Sequence, residues 1–518
     1  MRRTIISAVF VLLYIPGLCE GQNPPFNYLK VRSDAEGFIT LAEGEGPYER
    51  FFPLGTFFYP TLRVQRDHME GPAEDYAGFG AMGGNLVVAP WRPDNWPNKP
   101  GAIFKDDGTC WLYMSAARAA GVKMIADPAL FWGRYGQWQD DGLIVWPPQR
   151  EQRFDEMVGW VVGSGGADVF MGYYQWDRPA WRYYDSRNRL PEPRPTPAYL
   201  NSAKSQLKNL ETQENAFHMV FMAQGAPVKV RDLWKDYHWA ADIVGGVVLP
   251  YPEPTTLQMA NEQCAQTVGC LLPNYYSSVS GSLADAIYEA ARGAIVPGPR
   301  WKPYIAVLQG KDQMGSELTD AQIRFQAYDA IIHGAKGLVW YDDNEFQPLG
   351  EYDFFYQDIF EYLDPLISEL GMGEINGAIK GDYDDAVIAV TTEAPPFPNV
   401  VEESTFLCGK LLPKTHFLSD QIIMEGVAKE FGGWTYLIVA CRPHEGALPE
   451  YKVRFRPFFS DHPYYKPWGK EAPNNTVFKV NHGWMSVNDE NCGGWWEDYF
   501  NPGEVAIYKF QTPPPWHP

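Results

Sequence analysis

The chain has 518 residues, a formal net charge of -21 and 21% charged residues. Its acidic balance, with no basic run to neutralise phosphates, excludes nucleic acid as an expected partner. The length exceeds the roughly 250 to 300 residues that one core usually fills, so at least two domains are expected.

At the N-terminus, Arg2-Arg3, an apolar run from Thr4 to Leu18 and the small-residue pattern ending at Gly21 read as a secretory signal peptide cleaved after Gly21. Secreted or periplasmic export is the expectation. The run is shorter than the roughly 20 residues that span a bilayer, and no later stretch qualifies, so stable membrane insertion is not expected. Six cysteines follow the leader: Cys110, Cys264, Cys270, Cys408, Cys441 and Cys492. Cys264 and Cys270 are close enough for a local disulfide. None has zinc-site spacing and the histidines are scattered, so no metal is expected.

Tyr28 to Arg32 and Gly37 to Leu41 alternate as a small hairpin. Eight strand-like apolar runs follow: Pro53 to Tyr59, Asn85 to Ala89, Val122 to Ala126, Val169 to Trp176, Ala216 to Met222, Ile243 to Leu249, Tyr304 to Leu308 and Gly337 to Tyr341. Helical spacing separates them at Trp111 to Ala120, Pro197 to Leu210, Leu283 to Gly293 and Ala321 to His333, and Phe355 to Leu370 closes the series. Ser282 and Thr319 read as N-caps, and Gly121, Gly293 and Gly334 fall just past helix ends. Eight strands with interleaved helices predict a (β/α)8 TIM barrel over residues 22–378, the N-terminal hairpin included. A doubly wound open sheet is the competing fold, but Gly55-Thr-Phe-Phe-Tyr-Pro60 is not the Gly-rich turn that it uses for nucleotides.

From about Ile379 the helical period disappears. Ala386 to Thr392, Trp434 to Ala440, Tyr451 to Phe459, Thr476 to Val480 and Val505 to Phe510 predict an all-β sandwich over residues 379–518. Pro395 to Pro398 reads as a loop, and Asn474-Asn475-Thr476 is a glycosylation sequon or a hairpin turn.

In a (β/α)8 barrel the reacting groups come from the C-terminal ends of the strands. Those ends carry Tyr59, Trp91, Asp127, Trp176, Asp177, Arg178, Tyr251, Glu253, Gln309, Trp340, Tyr341, Asp342, Asp343 and Glu345. The ring is acidic, aromatic and amide-bearing, as suits a neutral polyhydroxylated ligand. The 15% aromatic content fits stacking on sugar rings.

Several of these stretches resemble, in order, the barrel of retaining, clan-A-type glycoside hydrolases. They are Gly37 to Leu41 with Phe51 to Gly55, Ile125-Ala-Asp-Pro128, Gly172 to Pro179, Pro250-Tyr-Pro252, Lys302 to Gln309, and Gln322 to Tyr328 with His333 to Leu338. The resemblance spans Gly37 to Leu370 and implies carbohydrate as the ligand. It also implies a general acid/base Glu after the fourth strand and a nucleophilic Glu after the seventh, where this chain has Arg178 and Gln309. Arg stays protonated at neutral pH and an amide is not a competent nucleophile, so neither supplies that chemistry.

Three readings follow. In the first, the chain hydrolyses glycosidic bonds in a poly- or oligosaccharide by acid/base chemistry, with Asp177 and a partner among Asp342, Asp343 and Glu345 as the catalytic carboxylates. Tyr59, Trp91, Asp127, Trp176, Arg178, Tyr251, Glu253, Gln309, Trp340 and Tyr341 then bind substrate, and no cofactor is required. In the second, the barrel binds a glycan without cutting it, and Arg178 pairs with Asp177 or reads a ligand carboxylate. In the third, the site is vestigial and the surface serves assembly. Taken singly, Asp177 equally suits a turn cap, Asp342 to Glu345 a solvated loop, and each Trp or Tyr a packing role. No motif speaks to oligomeric state.

Overall fold

The computed structural model describes residues 29–57, 71–90, 109–127, 137–138, 144–145, 168–177, 197–213, 219–224, 240–247, 302–309, 318–332, 334–341, 355–383, 386–407, 423–441, 450–459, 476–480, 483–486 and 495–511. The signal peptide, the Cys264–Cys270 loop and Leu283 to Gly293 lie outside these residues.

The described chain opens with an antiparallel sheet of β1 (Leu29–Ser33), β2 (Ile39–Glu43) and β3 (Glu49–Phe51), which contains the expected hairpin. Asp34 fixes its first turn by accepting the backbone N–H groups of Glu36 and Phe38, each at 2.9 Å, and Gly37 takes the positive φ of 80° that the turn requires.

The barrel follows as β4 (Leu54–Phe57), α1 (Gly71–Ala81), β5 (Leu86–Pro90), α2 (Thr109–Ala119) and β6 (Lys123–Asp127). A short antiparallel pair, β7 (Gln137–Trp138) and β8 (Ile144–Val145), precedes β9 (Phe170–Asp177). Then come α3 (Pro197–Gln213), β10 (Met219–Gln224), β11 (Ile243–Val247), β12 (Tyr304–Gln309), α4 (Asp320–Ile332) and β13 (Leu338–Tyr341). All eight barrel strands pair in parallel and the ring closes, β13 on β4 and β9 on β10. Closure excludes the open doubly wound sheet, and each predicted strand has its counterpart. Thr319 caps α4 through a reciprocal box: its N–H donates to Gln322 Oε1 at 2.9 Å, and the Gln322 N–H returns to Thr319 Oγ1 at 3.3 Å. Gly121 and Gly334 follow α2 and α4 with φ of 71° and 102°.

The strands bury two faces. Leu86, Val88, Ile125, Met171, Tyr174, Met219, Ile243, Ile305, Val307 and Val339 form one cluster with Leu29, Val31 and Ile39, so the inner face is filled and β1 to β3 cap its N-terminal end. Leu54, Val87, Met124, Tyr173, Val244, Ala306, Leu308, Leu338 and Trp340 belong to the outer cluster with the helices.

After β13, α5 (Phe355–Gly371) and α6 (Gly373–Ile379) lead to β14 (Asp382–Tyr383), β15 (Ala386–Ala394), β16 (Asn399–Leu407), β17 (Met424–Phe431), β18 (Trp434–Cys441) and β19 (Tyr451–Phe459). β20 (Thr476–Lys479), β21 (Gly483–Ser486), β22 (Trp496–Phe500) and β23 (Val505–Gln511) complete the chain. They form a six-stranded sheet, β14-β17-β18-β23-β20-β21, and a four-stranded sheet, β16-β15-β19-β22. Ile388, Val390, Val453, Phe455 and Trp496 of the smaller sheet share a core with Met424, Leu437, Val439 and Tyr508 of the larger, as the sandwich expectation requires. The larger sheet turns its other face, with Val427, Tyr436, Ile438 and Ile507, to the outer cluster of the barrel. Helix α4 is therefore covered on both sides, and residues 325–332 are all buried.

A charged joint ties the three parts. Arg50 on β3 donates to Asp34 at 2.7 Å, Glu36 at 3.1 Å, Asp382 at 2.6 Å and the Lys380 carbonyl at 2.9 Å. Its guanidinium lies over the Phe38 ring, which also receives the Lys336 and Lys429 ammoniums at 3.8 and 5.2 Å. Burial, joined by the nearby Lys336 charge, pushes Lys429 well below the usual lysine range. Cys441 is buried with a free thiol, and Cys110 lies on α2. The other cysteines of the mature chain are outside the described residues. Among the described residues no helix is long and apolar enough to cross a membrane.

Candidate active site at the barrel mouth

Neighbouring strands pair in register at the C-terminal rim: Pro90 opposite Asp127, Ala223 opposite Asp177, and Gln309 opposite Tyr341. Asp127 lies two residues after the inner residue Ile125, Gln309 two after Val307, and Tyr341 two after Val339.

Asp177 lies three residues after the inner residue Tyr174. β9 carries two irregularities. Against β6 the register passes from Met124↔Phe170 to Ile125↔Gly172, and against β10 from Phe221↔Tyr174 to Ala223↔Asp177. Each is one extra residue on β9, a bulge, and the second, at Gln175-Trp176, brings the Asp177 backbone opposite Ala223. Gly172 serves the first: a Cβ there would stand 2.3 Å from the Met219 carbonyl oxygen, so β9 and β10 approach only with glycine at this point.

Beneath this rim, Val88, Ile125, Tyr174, Val307 and Val339 form a closed apolar floor. In the ring of eight, β9 and β13 lie four strands apart and face each other, whereas β6 and β9 are neighbours. An interstrand spacing of about 4.8 Å and a tilt of about 36° put facing backbones about 15 Å apart.

The backbones of Asp127, Trp176, Asp177, Gln309 and Tyr341 lie at the C-terminal ends of their strands. Tyr59, Trp91, Arg178, Tyr251, Glu253, Asp342, Asp343 and Glu345 lie outside the described residues. Trp340 is a correction. It follows the inner residue Val339 and is outer: it is 2% exposed, pairs in register with Thr56 and packs in the helix-side cluster. Its ring is used in packing and is not a platform at the mouth. Among the described residues no group of three His, Cys, Asp or Glu is arranged to hold a metal.

No family model and no curated protein sequence matches the chain. Among solved structures it is similar to a family 39 glycoside hydrolase from Bacteroides cellulosilyticus WH2, with 12% identity over 92% of this chain and 87% of that one and a TM-score of 0.45. It is also similar to a GH30 endoxylanase from Clostridium papyrosolvens C71, with 8% identity over 89% and 96% and a TM-score of 0.44. A maltogenic alpha-amylase from Thermotoga neapolitana gives 11% identity over 89% and 99%, with a TM-score of 0.46. The chain is a (β/α)8 barrel with a C-terminal β-sandwich.

Proposed function

We propose that the chain is an exported protein that hydrolyses glycosidic bonds of a poly- or oligosaccharide at the barrel mouth. Asp177 acts as general acid or base, opposite a partner among Asp342, Asp343 and Glu345 that follow β13. The observation that supports this reading is the second bulge of β9, after which the Asp177 backbone pairs opposite Ala223. Bulges recur beside active sites, where they re-aim a side chain. Carboxylates from β9 and from the end of β13 would face each other across the roughly 6.5 to 9.5 Å of an inverting pair, which leaves room for a water between them. The apolar floor favours the protonated form of one carboxyl, as a general acid needs. Gln309, Tyr59 and Tyr251 would orient the sugar, with Asp127 within reach from the neighbouring strand.

A second reading is binding without cleavage. It is favoured by Arg178 and Gln309, which stand where the resembled hydrolases carry their two Glu residues.

The test combines a glycan array with a reducing-sugar assay on the array's best ligands. Hydrolysis predicts new reducing ends, reduced about 100-fold or more by Asp177→Asn with binding retained. Binding without product, unchanged in Asp177→Asn, refutes the catalytic reading in favour of the second.

A further inference from the structure

Among the described residues, the four-stranded sheet has a face that neither the barrel nor the sandwich core uses. Along β22, Trp496 and Phe500 are buried inward, so Glu497 and Tyr499 point outward, and Trp495, the residue before β22, joins them. The register carries the face across the sheet: Tyr499 opposite Lys452, Lys452 opposite Glu393, and Glu393 opposite Val400. Beside this row runs Glu497, Arg454, Thr391 and Glu403.

Two properties define this surface. Its aromatic rings are open: Tyr499 is 48% and Phe397 39% exposed, and the β15–β16 turn brings Phe397 edge-on to Tyr499 with ring centres 6.1 Å apart. Trp495 lies at the far end, held by the Arg454 guanidinium 4.4 Å from its ring centre. Tyr499 and Trp495 are four residues apart on an extended chain, about 13 Å. The charges, in turn, are neutralised in place. Glu497 takes Lys452 at 2.8 Å and Arg454 at 2.8 Å, and Glu393 lies 3.9 Å from Arg454. Burial pushes the Glu497 carboxyl up, but the bonds from both cations outweigh it and hold it below the usual range.

We propose that this outer sheet face is a second glycan-binding site, separate from the barrel mouth, on which an uncharged polysaccharide chain lies across Tyr499, Phe397 and Trp495. Aromatic rings spaced along a rigid sheet offer stacking surfaces for sugar faces. The paired Lys452, Arg454 and Glu497 side chains, with Glu393 buried beneath them, offer fixed hydrogen-bonding groups between the rings. A polyanion finds no unpaired cation among these four, and a neutral ligand escapes the repulsion that the chain's net charge of -21 exerts on acidic polymers. A second copy of the chain fits less well. Tyr499, Phe397, Val400 and Val401 expose roughly 300 Å² of apolar surface, short of the roughly 800 Å² per partner of a stable interface.

The experiment uses the full mature chain in native affinity electrophoresis, in gels cast with xylan, glucomannan or hydroxyethylcellulose and with polygalacturonate as the acidic control. The expected result is retardation in at least one neutral gel and none in the control. Retardation should weaken at least about fivefold in Tyr499→Ala and in Trp495→Ala, persist in Asp177→Asn, and be largely restored in Tyr499→Phe. Circular dichroism and the thermal midpoint of each variant confirm folding. The proposal is overturned by no retardation in any neutral gel, by retardation insensitive to Tyr499→Ala and Trp495→Ala, or by retardation lost in Asp177→Asn alone. It is also overturned if sedimentation shows a dimer that Tyr499→Ala dissociates while retardation is unchanged. Hydrolysis of short soluble oligosaccharides reports on the barrel mouth alone, so failure of one site is distinguishable from failure of the other.

Discussion

Replacing Lys302 with methionine is expected to stabilise the protein at pH 7 and to lose that advantage as the pH approaches 10.5. Lys302 precedes β12 at the N-terminal end of the barrel, and its ammonium donates to the Ala241 carbonyl at 2.9 Å. Burial and then the Lys204 charge lower its pKa to about 7, against the opposing pull of Asp242. Lys204 is itself paired with Asp242 at 2.7 Å. Above the unfolded value of 10.5 the side chain is neutral in both states and carries no penalty. As the pH falls from there, the unfolded chain takes up a proton that the folded chain refuses, so stability is lost until about pH 7 and is flat below. At about 1.4 kcal/mol per unit, the window of about 3.5 units amounts to at most about 5 kcal/mol. Methionine removes this linkage and gives up the hydrogen bond to the Ala241 carbonyl, worth about 1 kcal/mol. A net gain of about 2 to 4 kcal/mol at pH 7 is therefore expected, shrinking towards zero or slightly below near pH 10. Urea midpoints of both proteins at pH 7, 8.5 and 10 measure the difference directly. A Lys302→Met effect that does not change with pH refutes the reasoning, because a packing effect alone has no such slope.

At Gly172, alanine places a methyl group 2.3 Å from the Met219 carbonyl oxygen. Gly172→Ala should cost about 1 to 3 kcal/mol by thermal unfolding, and under the proposed function should lower turnover even where the protein is fully folded, because β9 carries Asp177. Trp340→Ala should cost about 3 to 5 kcal/mol as a core truncation, while Trp340→Phe leaves glycan affinity unchanged on the array. A large selective loss of affinity in Trp340→Phe would contradict its outer placement. Arg50→Lys keeps the charge but cannot span Asp34, Glu36, Asp382 and the Lys380 carbonyl together. A loss of about 2 to 3 kcal/mol in urea denaturation is expected.

The barrel is legible because buried parallel strands are continuous apolar runs bounded by turns, and all eight of its strands are of that kind. Helix α1 escapes the reading because Gly71-Pro72 and the glycines at 78 and 80 spoil its helical signal, although Gly80 is needed where a Cβ would meet the Ala120 carbonyl oxygen at 2.5 Å. β16 and β17 are illegible for a different reason. Glu402 on β16 faces inward, where it accepts the N–H groups of Ile423 and Met424 at 3.0 and 3.2 Å, and Lys429 on β17 is buried against Phe38 and Tyr383. Polar letters at inward positions look like loop until their partners are known.

At the mouth, the list of strand ends is readable, but the face that each presents is not. Both faces of a barrel strand are apolar, so nothing in Leu338-Val-Trp-Tyr341 says that Trp340 is outer. The bulges of β9 are likewise visible only in the register of its neighbours.

Helix α4 has a further practical meaning. It is roofed by β17, β18 and β23 of the larger sandwich sheet and floored by the barrel. Cutting the chain after β13 or α6 to obtain a free-standing barrel would strip that roof and expose one long side of α4, together with whatever residues of the outer cluster it shields. Such a fragment should be insoluble or self-associating when produced alone, and co-production with residues 379–518 as a separate polypeptide should rescue it. For this protein the minimal unit for expression, crystallisation or engineering is the barrel together with its sandwich.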